Sequence, residues 1–565
     1  MKTRKKGIIF FAIVAGIMLS SGVTIAINPA QWFGPSTVNI DEINDEEFDA
    51  LGLDLGYNDD EVLQFCSTNE HAMTNEYVKE YKIPTECTQP LAITVDHNGM
   101  VWFAQTNTGN IAKFDPLTET FTEYDNPVWT ELEQSFILSA IENNVPPQKL
   151  RSMMWGMDAF PDGSIWYTSR IPIQAEDNNV YFIGVLWKFS KDTGSYDVIP
   201  YSEEGNYNSL PQKLSIEGSK IILNDFTAGN LSFLDYAQDK QGLMHYAIPA
   251  VFSNAFTSDF AIDSEKNVWY SNWIPSDQGI LVKFDFPGYE VQSADGEVTQ
   301  GLLLQDFVEW YNFPIGLTTP NGVAVGPDQK IWIADTSSNY FFSFDPKTEE
   351  FIRYITSIPT IDSYGNFGKN PVSNPYWIEH HDNYLIMNQH NANRIGMFNP
   401  SSETLVEYTV PSRNPNWADC EGIEYCGVAQ VFDFAVDGKK IWFTEWVENN
   451  IGVVDTSIPL PFTIEIDKEE ITLEKGQTTQ ITLEITKASN SDDNTIDVSV
   501  NSSTASIFSD LIITHENNFS LSDNGNIITV EIMASEHALS GMHKVLLGAY
   551  TADIAVSQFI TVTIV

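Results

Sequence analysis

Basic residues are scarce in this chain of 565 residues: 29 Lys and Arg stand against 77 Asp and Glu, a formal net charge of −48. No basic stripe exists to release the counterions of a polyanion, which excludes nucleic acid and anionic lipid headgroups as direct ligands. Long hydrophobic runs are also missing, with one exception. Gly7 to Ile27 carries no charge and follows the basic cluster Lys2-Thr3-Arg4-Lys5-Lys6. At about 1.5 Å per helical residue that stretch spans roughly 30 Å of hydrocarbon, with its basic end left on the cytoplasmic side. It reads as an N-terminal hydrophobic helix, either a retained membrane anchor or, because Ser20-Ser21-Gly22 is small and polar, a cleaved signal peptide. Either way the remainder is exported, held at the extracellular face of the membrane or secreted.

Cysteine is rare too. The four residues are Cys66, Cys87, Cys420 and Cys426, an even number that favours disulfides in an exported chain. Cys66–Cys87 with Cys420–Cys426 is the most local pairing, and a cross pairing between neighbouring loops stays open. None of the nine His sits at ligand spacing to these Cys, which argues against zinc. Evenly spaced calcium loops are absent as well. The carboxylates are scattered, and Asp41 to Glu61 reads as an acidic, solvated spacer.

What the chain does contain is a repeat. Seven times a Trp-aromatic doublet, or an apolar stand-in, ends in a polar residue. The copies are Trp102 to Gln105, Trp166 to Ser169, Ile222 to Asp225, Trp269 to Asn272, Trp332 to Asp335, Ile386 to Gln389 and Trp442 to Glu445. A Pro-x-Gly/Ala-apolar step precedes the doublet, as in Pro90-Leu91-Ala92-Ile93 and Pro320-Asn321-Gly322-Val323, and then comes a turn such as Asp162-Gly163 or Asp437-Gly438. After it come a third strand and an aromatic strand that runs to a proline, as in Glu123-Tyr124 to Pro127 and Glu407-Tyr408 to Pro411. Four short strands punctuated by turns make one blade of a propeller. The seventh closing strand, Glu80-Tyr81-Lys82-Ile83-Pro84, lies before the first doublet rather than after the last. The N-terminal strand is therefore expected to complete the last blade and close the ring.

The expected fold is all-β: a hydrophobic segment over residues 1–28, an acidic linker over 29–75, a seven-bladed β-propeller over 76–456 and a β-sandwich over 457–565. The last part alternates apolar and polar residues, has no Trp and no Cys, and resembles immunoglobulin-like modules in architecture. Two rings of side chains should meet at one mouth of the channel. The second strands end in Gln105, Ser169, Asp225, Asn272, Asp335, Gln389 and Glu445. The first strands start near Leu91, Trp155, Gln212, Ser258, Asn321, Tyr376 and Phe432.

Several segments carry a more specific likeness. Trp442-Phe443-Thr444-Glu445-Trp446 with Glu448-Asn449-Asn450-Ile451-Gly452, Asn393-Arg394-Ile395-Gly396, and Glu407-Tyr408-Thr409-Val410-Pro411 resemble the repeats of the streptogramin B lyase (virginiamycin B lyase) family. That resemblance covers about two thirds of the chain. It implies a seven-bladed propeller and elimination across an ester C–O bond of a cyclic depsipeptide, using magnesium, His bases and Glu residues at the mouth. The chain departs from the family pattern where the His bases should follow the proline, because Tyr376 and Phe432 stand there and neither is a base near neutral pH.

Three readings follow. The first is a surface propeller that binds a small molecule, glycan or cell-envelope protein through Gln105, Asn272, Asn321, Tyr376 and Gln389. The second is a rearranged lyase that uses Glu445 and His390, with magnesium or calcium held by Asp225, Asp335 and Glu445. The third is a structural component of the envelope. Export also yields a direct expectation: thiol labelling of the denatured, unreduced protein should find no free Cys. Quantitative labelling at all four positions would sink the export argument.

Overall fold

The computed structural model describes residues 62, 65–142, 150–174, 180–200, 209–217, 220–227, 230–235, 245–249, 255–274, 279–289, 304–359, 371–418, 420, 426–488, 496–521 and 525–565. The N-terminal hydrophobic segment and the acidic spacer from Asp41 to Glu61 lie outside these residues. Within them the chain is nearly all strand. One sizeable helix, Pro127–Glu142, fills the connection after the first sheet. No helix among the described residues is long and apolar enough to cross a membrane.

The strands form small antiparallel sheets in strict chain order. Sheet 1 runs from Pro90–Val95 to Thr120–Tyr124, sheet 2 from Met157–Ala159 to Ser195–Pro200, and sheet 3 from Pro211–Glu217 to His245–Pro249. Sheet 4 runs from Phe256–Ile262 to Val308–Asn312, sheet 5 from Pro320–Val325 to Glu350–Ile355, and sheet 6 from Pro375–His381 to Thr404–Thr409. Sheet 7 has Val431–Asp437, Lys440–Glu445 and Asn450–Asp455, and its fourth strand is Val78–Lys82 from the other end of the chain. The first strand of each sheet packs against the first strand of the next, and that of sheet 7 returns to sheet 1. The result is a closed, propeller-like ring.

The repeated sequence motif has a physical explanation in each position. The doublet Trp packs between neighbouring sheets, with Trp102, Trp269, Trp332 and Trp442 all buried. In three of them the preceding turn supplies a partner for the indole N–H: Trp102 donates to Asp96 at 3.0 Å, Trp269 to Asp263 at 2.9 Å and Trp332 to Asp328 at 3.1 Å, whereas that of Trp442 has none among the described residues. Each first strand except that of sheet 2 carries a bulge at the Pro-x-Gly/Ala step, as between Pro90 and Ile93. The bulge frees a carbonyl, and the preceding sheet takes it. Thr168 Oγ1 donates to Pro211 O at 3.2 Å, Asn224 Nδ2 to Thr257 O at 3.1 Å and Ser271 Oγ to Pro320 O at 2.9 Å. Asn388 Nδ2 donates to Val431 O at 2.9 Å, and Thr444 Oγ1 to Leu91 O at 2.7 Å. Sheet 5 has Ala334 at this position and uses Thr336 Oγ1 on Pro375 O instead, at 3.1 Å. Where it is polar, as in five of the seven sheets, the third residue of the motif is thus a stitch between sheets.

Beyond the ring, two further sheets share one apolar cluster that includes Ile481, Leu483, Val530, Val545, Leu547 and Ile560. They are not a separate body on a tether. The last strand, Ile554–Ile564, pairs antiparallel with the outer strand of sheet 6, from Thr404↔Gln558 to Tyr408↔Ile554. Sheet 6 therefore continues into a nine-stranded sheet. Side chains reinforce the seam. Lys544 Nζ lies 2.6 Å from Glu403 Oε1, Arg353 Nη1 donates to Ala505 O at 3.0 Å, and Tyr354 packs edge-on against Phe559 at 5.1 Å.

The linker boundary needs correction, because residues 65–75 are part of the packed structure. Phe65 is buried, and Cys66 is bonded to Cys87. The second disulfide joins Cys420 and Cys426, so the local pairing is the one formed. Two disulfides suggest an oxidising environment, extracellular or periplasmic. Removing residues 77–84 should leave the edge of Asn450–Asp455 unpaired and drive self-association, read as a shift to aggregate on size-exclusion chromatography. A deletion variant that stayed monodisperse would count against closure by this strand.

Candidate functional site

The expected mouth of the channel is filled. Trp155, Tyr376 and Phe432, all buried, meet with ring centroids 5.0–6.2 Å apart. His390 lies against Tyr376 at 5.4 Å and Phe432 at 5.5 Å. Trp446 continues the stack from Phe432 at 5.4 Å, and Trp417 and Phe65 close it from outside. Arg151 caps Phe65 with its guanidinium 4.9 Å from the ring. The loop that brings Phe65 is tied down at Glu448, which accepts from Ser67 Oγ at 2.8 Å, Thr68 Oγ1 at 3.0 Å and Asn69 Nδ2 at 2.9 Å.

This packing changes the meaning of the residues singled out in the sequence. His390 is fully buried, and neither ring nitrogen has a hydrogen-bond partner among the described residues. Burial pushes its pKa down to about 3, so the ring is neutral and a poor base. The second-strand ring does not line an opening either. Gln105 donates to Glu123, and Gln389 to Glu407 at 2.8 Å. Asn272 donates to Phe256 O at 3.2 Å, and in the first-strand ring Asn321 donates to Thr336 Oγ1 at 2.8 Å.

The three carboxylates expected to hold a cation go the same way. Asp225 accepts from Leu210 N at 2.9 Å and from Ser209 Oγ, and Asp335 from Thr319 N and Ser338 Oγ at 2.6 Å. Glu445 accepts from Asn450 Nδ2 at 2.9 Å. Each is engaged within its own sheet or the loop entering it. No group of three His, Cys, Asp or Glu among the described residues is arranged to hold a metal ion. Magnesium or calcium at Asp225, Asp335 and Glu445 does not fit these residues, and the Glu445–His390 pair forms no acid–base site.

The open part of the channel lies towards the other end of the first strands. A cavity of about 570 Å³ there is lined by the later residues of all seven, among them Lys213, Asp158, Asp259, Glu379 and Asp433. Lys213 Nζ sits 3.2 Å from Glu379 Oε1 and 3.3 Å from Asp433 Oδ1, and 4.7 Å above the Trp377 ring. Burial alone would lower its pKa, but Asp433, Glu379 and Asp259 outweigh that and hold it above the usual lysine range. Burial raises the acids, with Lys213 opposing: Asp259 to about 7, and Asp433 and Asp158 to about 6. Asp259 and Asp433 also accept from the bulge N–H of the next sheet, at Val323 and Ile93.

Sequence reasoning passed over this cluster. A signal was present in the repeat itself. Ala92, Gly156 and Gly322 fill the third position of the Pro-x-Gly/Ala step, where Lys213, Asp259, Trp377 and Asp433 depart from it. Small residues fit there because the next backbone is close: a Cβ on Gly322 would sit 2.6 Å from Ile378 N.

No family model matches the sequence, and no curated protein matches it. Among solved structures, the chain is similar to virginiamycin B lyase from Staphylococcus aureus, with 16% identity and a TM-score of 0.46 over 67% of this chain and 98% of that one. It is also similar to PQQ-bound aldose sugar dehydrogenase from Streptomyces coelicolor, with 11% identity and a TM-score of 0.32 over 56% and 92%. A third likeness is to the calcium-binding protein regucalcin from Agrobacterium tumefaciens, with 12% identity and a TM-score of 0.32 over 54% and 89%. Likeness at this level says nothing of activity.

Lys213→Met leaves buried carboxylates without their cation, a loss of about 3–5 kcal/mol for a pair of this kind. Without Lys213 the acids titrate at still higher pH. Their folded pKa values then exceed the unfolded ones by more, and stability falls more steeply as pH rises from 5 to 8. Denaturant unfolding should show the larger deficit at pH 8. Equal deficits at both pH values would mean that Lys213 does not compensate these acids.

Proposed function

We propose that the protein is an exported seven-bladed β-propeller (residues 76–456) joined to an immunoglobulin-like β-sandwich (457–565). In this reading it works outside the cell as a binding module and not as a streptogramin-type lyase. Residues 1–28 deliver it there as a signal or anchor, and the acidic stretch up to residue 64 spaces it from the membrane. The ring of first strands and the two disulfides support this reading.

The observation that carries it is the filled mouth. An elimination next to a carbonyl needs a base of suitable pKa and an electrophile for the developing enolate, both open to the substrate. Here Tyr376 and Phe432 stand where the resemblance would put the bases, His390 is neutral and enclosed, and no cation site forms around Glu445 among the described residues. A ligand of the channel therefore enters from the far end, where the cavity around Lys213 has the volume of a small-molecule site and a polar wall suited to a small polar molecule or glycan. The structural-component reading keeps one observation in its favour: the sandwich extends sheet 6 as one continuous sheet, which suits a rigid spacer.

Incubating the purified protein with magnesium and a cyclic depsipeptide of the streptogramin B type tests the central claim. Mass spectrometry should show only intact ring. Linearisation that depends on Glu445 would overturn the proposal and establish a rearranged lyase.

A further inference from the structure

Sheets 6 and 7 contain the same clasp with one residue exchanged. In sheet 6, Glu407 of the outer strand accepts from the backbone N and the Oγ of Ser357, which lies in the connection arriving from sheet 5. Its Oε1 also accepts from the amide of Gln389, at the end of the second strand. In sheet 7, Glu80 of the closing strand accepts from the backbone N and the Oγ of Ser412, which lies in the connection arriving from sheet 6. Met73 N adds a further bond to it at 2.9 Å. The register is the same in both. Glu407 pairs with Gly396 and Glu80 with Gly452, and each glycine sits opposite the residue two before the end of the second strand. Sheet 1 repeats the amide–acid pair as Gln105 and Glu123.

Where sheets 1 and 6 place Gln, sheet 7 places Glu445, and an acid replaces the amide donor. Both Glu80 and Glu445 are buried, and their carboxyl groups face each other at hydrogen-bonding distance. Glu445 Oε2 accepts from Asn450, whereas Oε1 has no donor among the described residues. Two facing carboxylates cannot both be ionised in such a place, and one proton between them restores the donor that Gln supplies in sheet 6. Glu80 already receives three donors, so the proton belongs on Glu445.

We propose that Glu80 and Glu445 share one proton across the seam between the closing strand and sheet 7, making ring closure tighter in acid and looser in alkali. Burial is the main cause of the raised pKa of both groups; Glu80 raises Glu445 further, whereas the hydrogen bond from Glu445 pulls Glu80 the other way, which is the asymmetry expected if the proton sits on Glu445. The other charged groups facing the pair are few. Lys82 comes from the closing strand, Glu448 from the turn after the second strand of sheet 7, and Arg413 from the connection between sheets 6 and 7. Glu448 is held by the Ser67–Asn69 loop, and Lys82 donates to Asn69 O at 2.7 Å. Neither supplies the missing donor. The folded pKa of Glu445 lies above its unfolded value, so its contribution to stability is present at low pH and lost as pH rises through the folded value.

Glu445→Gln recreates the sheet 6 clasp and removes the need for the proton. Thermal unfolding of the full chain from pH 5 to pH 9 should find wild type and variant alike in acid. At the alkaline end the wild type should lose more, by about 1–2 °C for each pKa unit of the shift in a chain of this size. Glu80→Gln, which supplies the amide from the other side, should flatten the same limb. A second readout does not depend on any variant folding. Infrared spectra of the wild type near pH 8.5, above the range in which Asp259, Asp433 and Asp158 titrate, should show the carbonyl band of a protonated, buried carboxyl group, and the band should be lost in Glu445→Gln. Identical pH profiles in wild type and Glu445→Gln, or no such band in the wild type, would overturn the proposal. Depsipeptide turnover bears on the functional reading alone and leaves this test untouched.

Discussion

The ring depends on the hydrogen bond that every sheet but the first gives to the bulge of the next. A first strand faces the channel with no neighbour on that side, and the bulge at its start leaves a carbonyl without a strand partner. The side chain of Thr168, Asn224, Ser271, Asn388 or Thr444 fills that need from the preceding sheet. Two acids work in the same sense on the N–H side, Asp259 on Val323 and Asp433 on Ile93. Neighbouring sheets are thereby held in register by directional bonds as well as by the buried Trp layer. Because the stitch recurs around the circle, the last sheet has to meet the first, and the strand Val78–Lys82 completes the edge that this closure would otherwise expose.

That arrangement divides the channel into two unlike halves. At the start of the first strands three of the seven residues, Trp155, Tyr376 and Phe432, are aromatic and pack together, with Phe65 brought in by the Cys66–Cys87 loop as the outermost layer. Further along, the inward residues are small or charged, and space remains around Lys213. The charged half, by contrast, is held in balance by one lysine among four carboxyl groups, a state maintained only by their mutual proximity in a low-dielectric setting.

Attachment of the C-terminal sheets has a similar logic. An outer strand in a propeller-like ring is an exposed edge, and Thr404–Thr409 of sheet 6 would present one. Pairing with Ile554–Ile564 covers it, and the buried bonds of Asn501 to Ser357 and Ser557 lock the two parts side by side. The acidic surface follows from composition alone. The continuity of the sheet does not, since nothing in the alternating pattern of Ala555 to Val565 distinguishes a strand that pairs within its own sheet from one that also pairs with a neighbour.

The sequence by itself determined the strand repeat, its seven copies, and the displaced closing strand from Glu80 to Pro84. These are carried by periodicity and by turn residues, which act locally and leave a local trace. It also marked Gln105, Asp225, Asp335, Gln389 and Glu445 as out of place in apolar strands. Only the tertiary structure decided what they do, because a polar residue at a strand end looks the same whether it faces a wet channel or a buried partner across the sheet. The partners Glu80, Glu123 and Glu407 lie 18 residues away in sheets 1 and 6 and at the opposite end of the chain in sheet 7. The sealing of the mouth was hidden for the same reason. Trp155, Tyr376, Phe432, Trp446 and Phe65 are scattered over the whole sequence, and only closure of the ring brings them to one place.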